Sequence, residues 1–384
     1  MSKALKHLIP DNFLNEYWQK KPLLIRQAIP DFVSPLSANE LAGLSLEEEV
    51  ESRLILEKGE TPWELRHGPF TEETFSSLPE SHWTLLVQAV DHWVPEVHEL
   101  LEYFRFLPSW RLEDIMISYA VNGGNTGQHY DNFDVFLLQA SGKRRWQIGP
   151  LYDDQSPTIE NTSLHILSEF NVLEDYVLEP GDMLYLPPGV GHHGVAEGEC
   201  MTISVGFRAP SHRDILMQFT DFVSDQLSES LRYADPDQRL LKNPGEIDRE
   251  AVNRVQAILK SYAEDKHLIA QWFGQAMTEP KHPQSAEEEI ENWESLISLY
   301  GNSNLRLSEG SRIAYCEISQ PMVFADGVSQ HCKNDELLSL VRSLCCKETL
   351  VPDTWTQCIN EESQLWLITL INSGILFPEE TSKN

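Results

Sequence analysis

The sequence predicts a mainly β fold with helical additions, a sandwich or barrel rather than a parallel α/β sheet. Between residues 114 and 207, short apolar runs alternate with Gly/Pro punctuation. After Ser211 the apolar spacing becomes helical. At 384 residues the chain fits two or three domains and can bury a core without disulfides.

Taken in order, Ile9-Pro10-Asp11 suits a helix start, and Phe13, Leu14, Tyr17 and Trp18 follow at helical spacing. Residues 22–26 read as a strand, Ser37 as the cap of a helix running through Leu44, Trp83–Val87 as a strand, and 96–104 as helical. Residues 115–121 form the next strand, and the Gly-rich 122–127 turn delivers the chain to His129. A strand over 135–139 is followed by a tight turn at Ser141-Gly142-Lys143 and a strand over 144–148. Strands at 176–178, Met183–Leu186 and 201–207 complete at least six. Farther on, Ile215, Leu216, Phe219, Phe222, Val223 and Leu227 line one helix face, and Val252, Val255, Ile258, Leu259 and Tyr262 another. Residues 279–285 look like a linker. Beyond it, 313–318 and 321–324 are strand-like, 336–345 and Glu361–Asn372 helical, and no internal repeat is visible.

Sixty acidic against 29 basic side chains give a net charge of −31. Such a polyanion repels phosphate backbones and anionic lipid and attracts basic protein surfaces. Acidic solubility alone also accounts for the number. The six cysteines (Cys200, Cys316, Cys332, Cys345, Cys346, Cys358) form no CxxC pair, which fits reduced thiols in a cytosolic protein. The first residues lack the apolar core, about 7–15 residues long, of a signal peptide. No run of about 18 apolar residues suggests a membrane span. The expected location is cytoplasmic.

His129-Tyr130-Asp131, with His192 farther along, is the most informative pattern. Two imidazoles and a carboxylate bind a divalent transition metal on one face and leave the other open, the ligand set of non-haem Fe(II) oxygenases. A bare His-x-Asp carries little weight; His212-Arg213-Asp214 is a second one and reads as a helix N-terminal turn. In an extended segment His129 and Asp131 point to one side and Tyr130 to the other. Only one of His192 and His193 can face a metal, and His193 reads as a supporting or surface residue. Lys143, Arg144 and Arg145 form a cationic run that alone would pass for a solvated turn. Trp272-Phe273 reads as packing, and His331-Cys332 has no partner spacing.

Two stretches carry a resemblance. Gly123-x5-His129-x-Asp131-x3-Val135-x6-Gly142 and Gly181-x5-Pro187-x4-His192 resemble the two motifs of the cupin superfamily. Asp131 stands where cupins carry a second histidine, and Val135 where they carry a glutamate ligand. That substitution is similar to the JmjC-type oxygenases that use 2-oxoglutarate. Ala196 holds the place of an asparagine expected four residues past the last histidine. Residues 17–26 (Tyr-Trp-Gln-Lys-Lys-Pro-Leu-Leu-Ile-Arg) and 204–210 (Ser-Val-Gly-Phe-Arg-Ala-Pro) further resemble the bacterial ribosomal oxygenases, JmjC enzymes that 3-hydroxylate an arginine of a large-subunit ribosomal protein. The likeness covers residues 10–215; the C-terminal third resembles that family in layout only.

The resemblance implies a double-stranded β-helix (cupin/JmjC barrel) with N-terminal helical decorations over residues 1–210. It also implies a helical dimerisation region over 211–278 and a winged-helix-like domain over 286–384. It implies Fe(II) held by His129, Asp131 and His192, with 2-oxoglutarate and O2 in the remaining positions. By motif position Arg144 would grip the distal carboxylate of 2-oxoglutarate, with Ser118 assisting; alone, Ser118 reads equally as a core residue bonded to backbone. Thr202 and Ser204 share a strand face and could approach the same molecule. The expected activity is hydroxylation of an arginine β-carbon on a basic ribosomal protein by a homodimer. A histidine hydroxylase of the same family and a non-catalytic cupin-like binding module or regulator are the alternatives.

A winged helix would ordinarily suggest DNA, but residues 281–384 carry 7 Lys/Arg against 16 Asp/Glu, a net of −9. No duplex affinity is therefore expected at physiological salt. A micromolar gel shift that disappears with added salt would overturn that expectation.

Overall fold

The computed structural model describes residues 12–282, 289–318 and 320–379. The expected helix start at Ile9-Pro10-Asp11 and part of the expected linker lie outside them. Two compact units divide at residue 209: Met1–Ala209 and Pro210–Asn384.

The first unit is built on nine antiparallel strands: β1 (Leu23–Ile25), β2 (Ser52–Lys58), β3 (Pro62–His67), β4 (Trp83–Val87), β5 (Leu112–Ala120), β6 (Val135–Leu151), β7 (Glu174–Leu178), β8 (Met183–Leu186) and β9 (Val190–Phe207). They pair in the order β1-β8-β6-β9-β5-β4-β2-β3, with β7 alongside the second half of β6. Four short helices decorate the sheet, α1 (Phe13–Glu16), α2 (Ala38–Leu44), α3 (Glu72–Ser76) and α4 (Pro95–His98). Ser37 caps α2 through a reciprocal capping box with Glu40, as its sequence position suggests.

The long strands β6 and β9 organise the barrel, and β6 departs from the sequence expectation. Ser141-Gly142-Lys143 is not a tight turn joining two strands. Pairing to β9 continues through it with register shifts between Gln139 and Ser141 and between Ser141 and Lys143. Gly142 supplies a positive φ of 60°, and a Cβ there would strike the Glu199 carbonyl, so the turn-forming residue serves a bulge instead. The bulge changes the parity of the strand. Val135 and Leu137 before it, and Trp146 and Ile148 after it, join one interior cluster with Leu178, Leu184, Leu186 and Val190. Phe136, Leu138 and Ala140 point the other way, into the larger core.

That larger core is aromatic where the N-terminal segment docks. Phe136 and Tyr185 have ring centroids 4.8 Å apart, and Phe13 packs edge-on to Tyr185 at 5.0 Å. Beside it lies Asp134, which is fully buried. Its carboxylate accepts from Tyr185 Oη at 2.7 Å, Gln19 Nε2 at 2.9 Å and Arg111 Nη2 at 3.0 Å. Three donors offset the desolvation of that charge and fix the turn that follows Asp131.

The second unit begins with α5 (His212–Ser224), α6 (Arg249–Ala263) and α7 (Lys266–Thr278). Ser211 and Asp214 form the capping box of α5, so His212-Arg213-Asp214 is a helix start. Next come α8 (Trp293–Tyr300), β10 (Asn304–Leu307), the meander β11 (Ile313–Cys316), β12 (Met322–Ala325) and β13 (Val328–His331), then α9 (Asp335–Lys347). The chain closes with β14 (Thr349–Leu350), α10 (Pro352–Trp355), α11 (Glu361–Asn372) and β15 (Leu376–Glu379). The order β14-β10-β15 forms a small sheet, and helices α8, α9 and α11 share its core through Leu296, Leu337, Val341 and Leu367, a winged-helix arrangement. Helix α7 packs on β12.

One buried acid makes the first unit sensitive to pH. Asp91 is almost fully buried and its Oδ1 accepts the Ile115 N–H at 2.7 Å. Burial pushes its carboxyl up to about 7, and the nearby Asp114 adds to the effect. A raised folded-state value means the contribution is complete below the ordinary 3.8 and is lost as pH rises through about 7. Asp91→Asn keeps the acceptor for Ile115 and removes the titration. Its melting temperature should therefore fall less than the wild type's between about pH 5 and pH 8. Equal slopes by calorimetry would sink this assignment.

Candidate metal centre

His129 and Asp131 lie on an extended segment rather than in a strand. A single antiparallel bridge fastens it to the start of β9: the His129 N–H donates to the His192 carbonyl at 3.0 Å, and the His192 N–H to the His129 carbonyl at 2.8 Å. Residues directly opposed across such a bridge place their side chains on the same face. The two imidazole centroids are accordingly 4.3 Å apart. Asp131, two residues on, returns to that face, and its Oδ2 is 3.6 Å from His192 Nε2. One donor atom from each of His129, Asp131 and His192 lies within 4.8 Å of the others.

Both rings are held in the tautomer a metal requires. His129 Nδ1 donates to the Gly127 carbonyl at 2.9 Å and His192 Nδ1 to the Val190 carbonyl at 3.0 Å. Each Nε2 is left with a free lone pair. Burial pushes the His192 imidazole down to about 4, with the neighbouring His129 second, so it is neutral and able to ligate at neutral pH. Two imidazoles and one carboxylate, converging without a fourth donor among the described residues, suit a divalent transition metal with an open face. His193 points away from this cluster, its Nε2 3.3 Å from Asn125 Oδ1.

The bulge in β6 decides the fate of the cationic run. Lys143 and Arg145 face outward and pair with Glu179 at 2.6 Å and Asp175 at 2.7 Å. Arg144 turns inward and is 4% exposed. Its Nη1 donates to Ser118 Oγ at 3.3 Å, its guanidinium lies 5.7 Å from the Trp146 ring, and its Nε and Nη2 have no partner among the described residues. A buried cation without an acid costs several kcal/mol. Such a group, with donors to spare beside an inward-facing hydroxyl, has the chemistry to receive a carboxylate. Trp146 bridges the two features: its ring centre is 5.9 Å from that of His192, and its buried Nε1 is also unpartnered.

Ser118 is thus brought to Arg144, and its own hydroxyl faces the Thr202 carbonyl at 3.4 Å. Thr202 and Ser204 are buried on β9, opposite the core-facing Met201, Ile203 and Val205. The Thr202 hydroxyl is committed to Gln139 Oε1 at 3.1 Å. Trp146 shares a strand face with Arg144 in the sequence, and the structure keeps the two together. Reading the sequence missed Asn125 as part of the site. An asparagine inside a Gly-rich stretch reads as turn chemistry, and no local signal separates the two roles.

Comparison with known proteins agrees with this geometry. Residues 99–215 match a family described as the JmjC domain, and residues 261–377 a ROXA-like winged helix. The chain is 33% identical to the ribosomal protein uL16 3-hydroxylase of Escherichia coli over 96% of its own length and 97% of that protein's. It is 39% identical to a probable ribosomal oxygenase of Haemophilus influenzae over 61% of its length and 56% of that protein's. Among solved structures, the X-ray structure of E. coli ycfD superposes with a TM-score of 0.87 at 32% identity, covering 96% of this chain and 97% of that one. A second, of E. coli YcfD in complex with cobalt and 2-oxoglutarate, gives 0.85 at 32% identity over 97% and 99%.

Proposed function

The chain belongs to the JmjC ribosomal oxygenases, and from that premise we propose that it hydroxylates the β-carbon of an arginine in a large-subunit ribosomal protein, using Fe(II), 2-oxoglutarate and O2. The observation that carries this reading is one barrel face holding both a three-donor metal cluster and a buried, under-bonded guanidinium. A binding module has no use for the pair.

When bound, the iron and its co-substrate supply oxidative decarboxylation of 2-oxoglutarate to succinate and CO2, coupled to oxygen insertion into an unactivated C–H bond. His129 and His192 would present their Nε2 atoms, and Asp131 an anionic oxygen that partly offsets the metal's charge. Arg144 would grip the distal carboxylate with its spare N–H donors, steadied by Ser118, while Thr202 and Ser204 shape the wall beyond. Val135, Leu137, Leu184 and Leu186 line the interior with hydrocarbon and exclude water from the reacting centre.

The substrate is basic and the protein is not. Tyr130, between the two ligands of the extended segment, has its hydroxyl pushed up by burial and then by the charges of Asp154 and Asp153. Those two acids flank the site with negative potential, and the net charge of −31 extends it. Steering of a Lys/Arg-rich protein follows from both. We place the reaction in the cytoplasm, where ribosomal proteins are made; among the described residues no helix is long and apolar enough to cross a membrane. The winged-helix domain is assigned to protein contact rather than to nucleic acid, on its charge.

Residues 211–278 we assign to homodimerisation. Leu216 and Met217 on α5, and Val252, Val255, Ile258 and Leu259 on α6, are between 44% and 67% exposed. A second copy of this chain is the partner whose matching stripe would cover them.

Incubation with stripped ribosomal proteins, iron and 2-oxoglutarate should add one oxygen atom to a single arginine, read by tandem mass spectrometry, and Asp131→Ala should abolish it. Oxygen on a histidine instead would replace the arginine assignment, and no modified ribosomal protein at all would sink the hydroxylase reading. The wild type should sediment as a dimer, and Val255→Asp with Leu259→Asp should shift the equilibrium toward monomer by about tenfold or more. A doubly substituted protein that still sediments as a dimer excludes this surface.

A further inference from the structure

Asn125 lies outside the three metal donors and outside the Arg144 pocket, yet it touches the support of both histidines. It is 4% exposed, and every hydrogen-bonding capacity of its amide is used. Oδ1 accepts the Gly127 N–H at 2.9 Å and faces His193 Nε2 at 3.3 Å. Nδ2 donates to Glu57 Oε2 at 2.8 Å and to the Gly123 carbonyl at 3.0 Å.

The first two contacts lead to the two imidazoles by short routes. Gly127 is the residue whose carbonyl accepts the hydrogen bond from His129 Nδ1, and it holds a φ of 79° where a Cβ would strike the Ile166 side chain. Holding its N–H anchors one side of the residue whose carbonyl, one peptide plane on, accepts from the His129 ring. His193 is the backbone neighbour of His192, and its ring bonds no metal donor. One side-chain oxygen thus ties the segment bearing one ligand to the strand bearing the other. The opposite end of the amide is anchored by Glu57 on β2.

We propose that Asn125 is a positioning residue that sets the His129 and His192 imidazoles in register for the metal. The proposal rests on reading His129, Asp131 and His192 as the metal centre. It also explains why the residue is an amide. A carboxylate at 125 could not donate to Glu57 or to the Gly123 carbonyl, and it would set two negative charges within hydrogen-bond distance of each other.

The test uses the full chain and cobalt(II) alone, followed by its visible d–d absorption and by calorimetric titration. Wild-type protein binds cobalt with a defined spectrum, and Asp131→Ala does not; if the wild type binds none, the metal reading itself fails. Given that binding, Asn125→Asp should weaken cobalt affinity by about 10–100-fold and alter the band shape. Glu57→Gln alone should leave both near wild type, because an amide still accepts from Asn125 Nδ2. The double variant Asn125→Asp/Glu57→Gln restores the donor–acceptor pair and should recover most of the lost affinity and the original spectrum. A general packing role would give no such rescue. Unchanged affinity and spectrum in Asn125→Asp, or a double variant no better than the single, overturns the proposal.

Discussion

Two backbone hydrogen bonds between His129 and His192 are the constraint on which the site depends. They oppose two segments far apart in sequence so that the side chains of both residues fall on one face of the barrel. Because side chains alternate along an extended chain, a slip of one residue in this pairing would send His192 outward and bring His193 in. The convergence of His129, Asp131 and His192 therefore follows from a backbone register, beside which the long β6–β9 ladder runs.

The barrel stores a cost at its centre. Among the described residues, Arg144 is buried without an acid, and the Trp146 indole beside it is buried without an acceptor. Neither group stabilises the empty fold. What offsets them is the hydrocarbon around them: one cluster inside the barrel and a larger one outside it, where Phe13, Phe104, Phe136, Tyr185 and Phe207 interlock. A buried cation with N–H donors to spare has the chemistry to receive an anion, whose binding would offset the cost of its burial.

Much of this was legible in the sequence because the signals were local. Ser37 with Glu40 and Ser211 with Asp214 announce helix starts through side chains that reach only three residues. Trp83–Val87 and Met183–Leu186 are apolar runs of strand length, and both are buried throughout. Ser141-Gly142-Lys143 was misread for an equally local reason. Turns and bulges both recruit a glycine at positive φ, and only pairing with β9 distinguishes them. The strands β2 and β3 went unread because charged residues interrupt their apolar pattern.

By itself the sequence determined a β-rich barrel followed by helices, and the donor types at 129, 131 and 192, since both follow from residue chemistry at short spacing. Arg144 was singled out from Lys143 and Arg145 by resemblance alone; the physical reason it turns inward lies in the tertiary structure. A strand's parity is carried along it unless a bulge resets it, and the bulge exists only because β9 lies alongside. The role of Asn125 was decided there too, since Glu57, Gly127 and His193 meet it only when three separate stretches of chain are folded together.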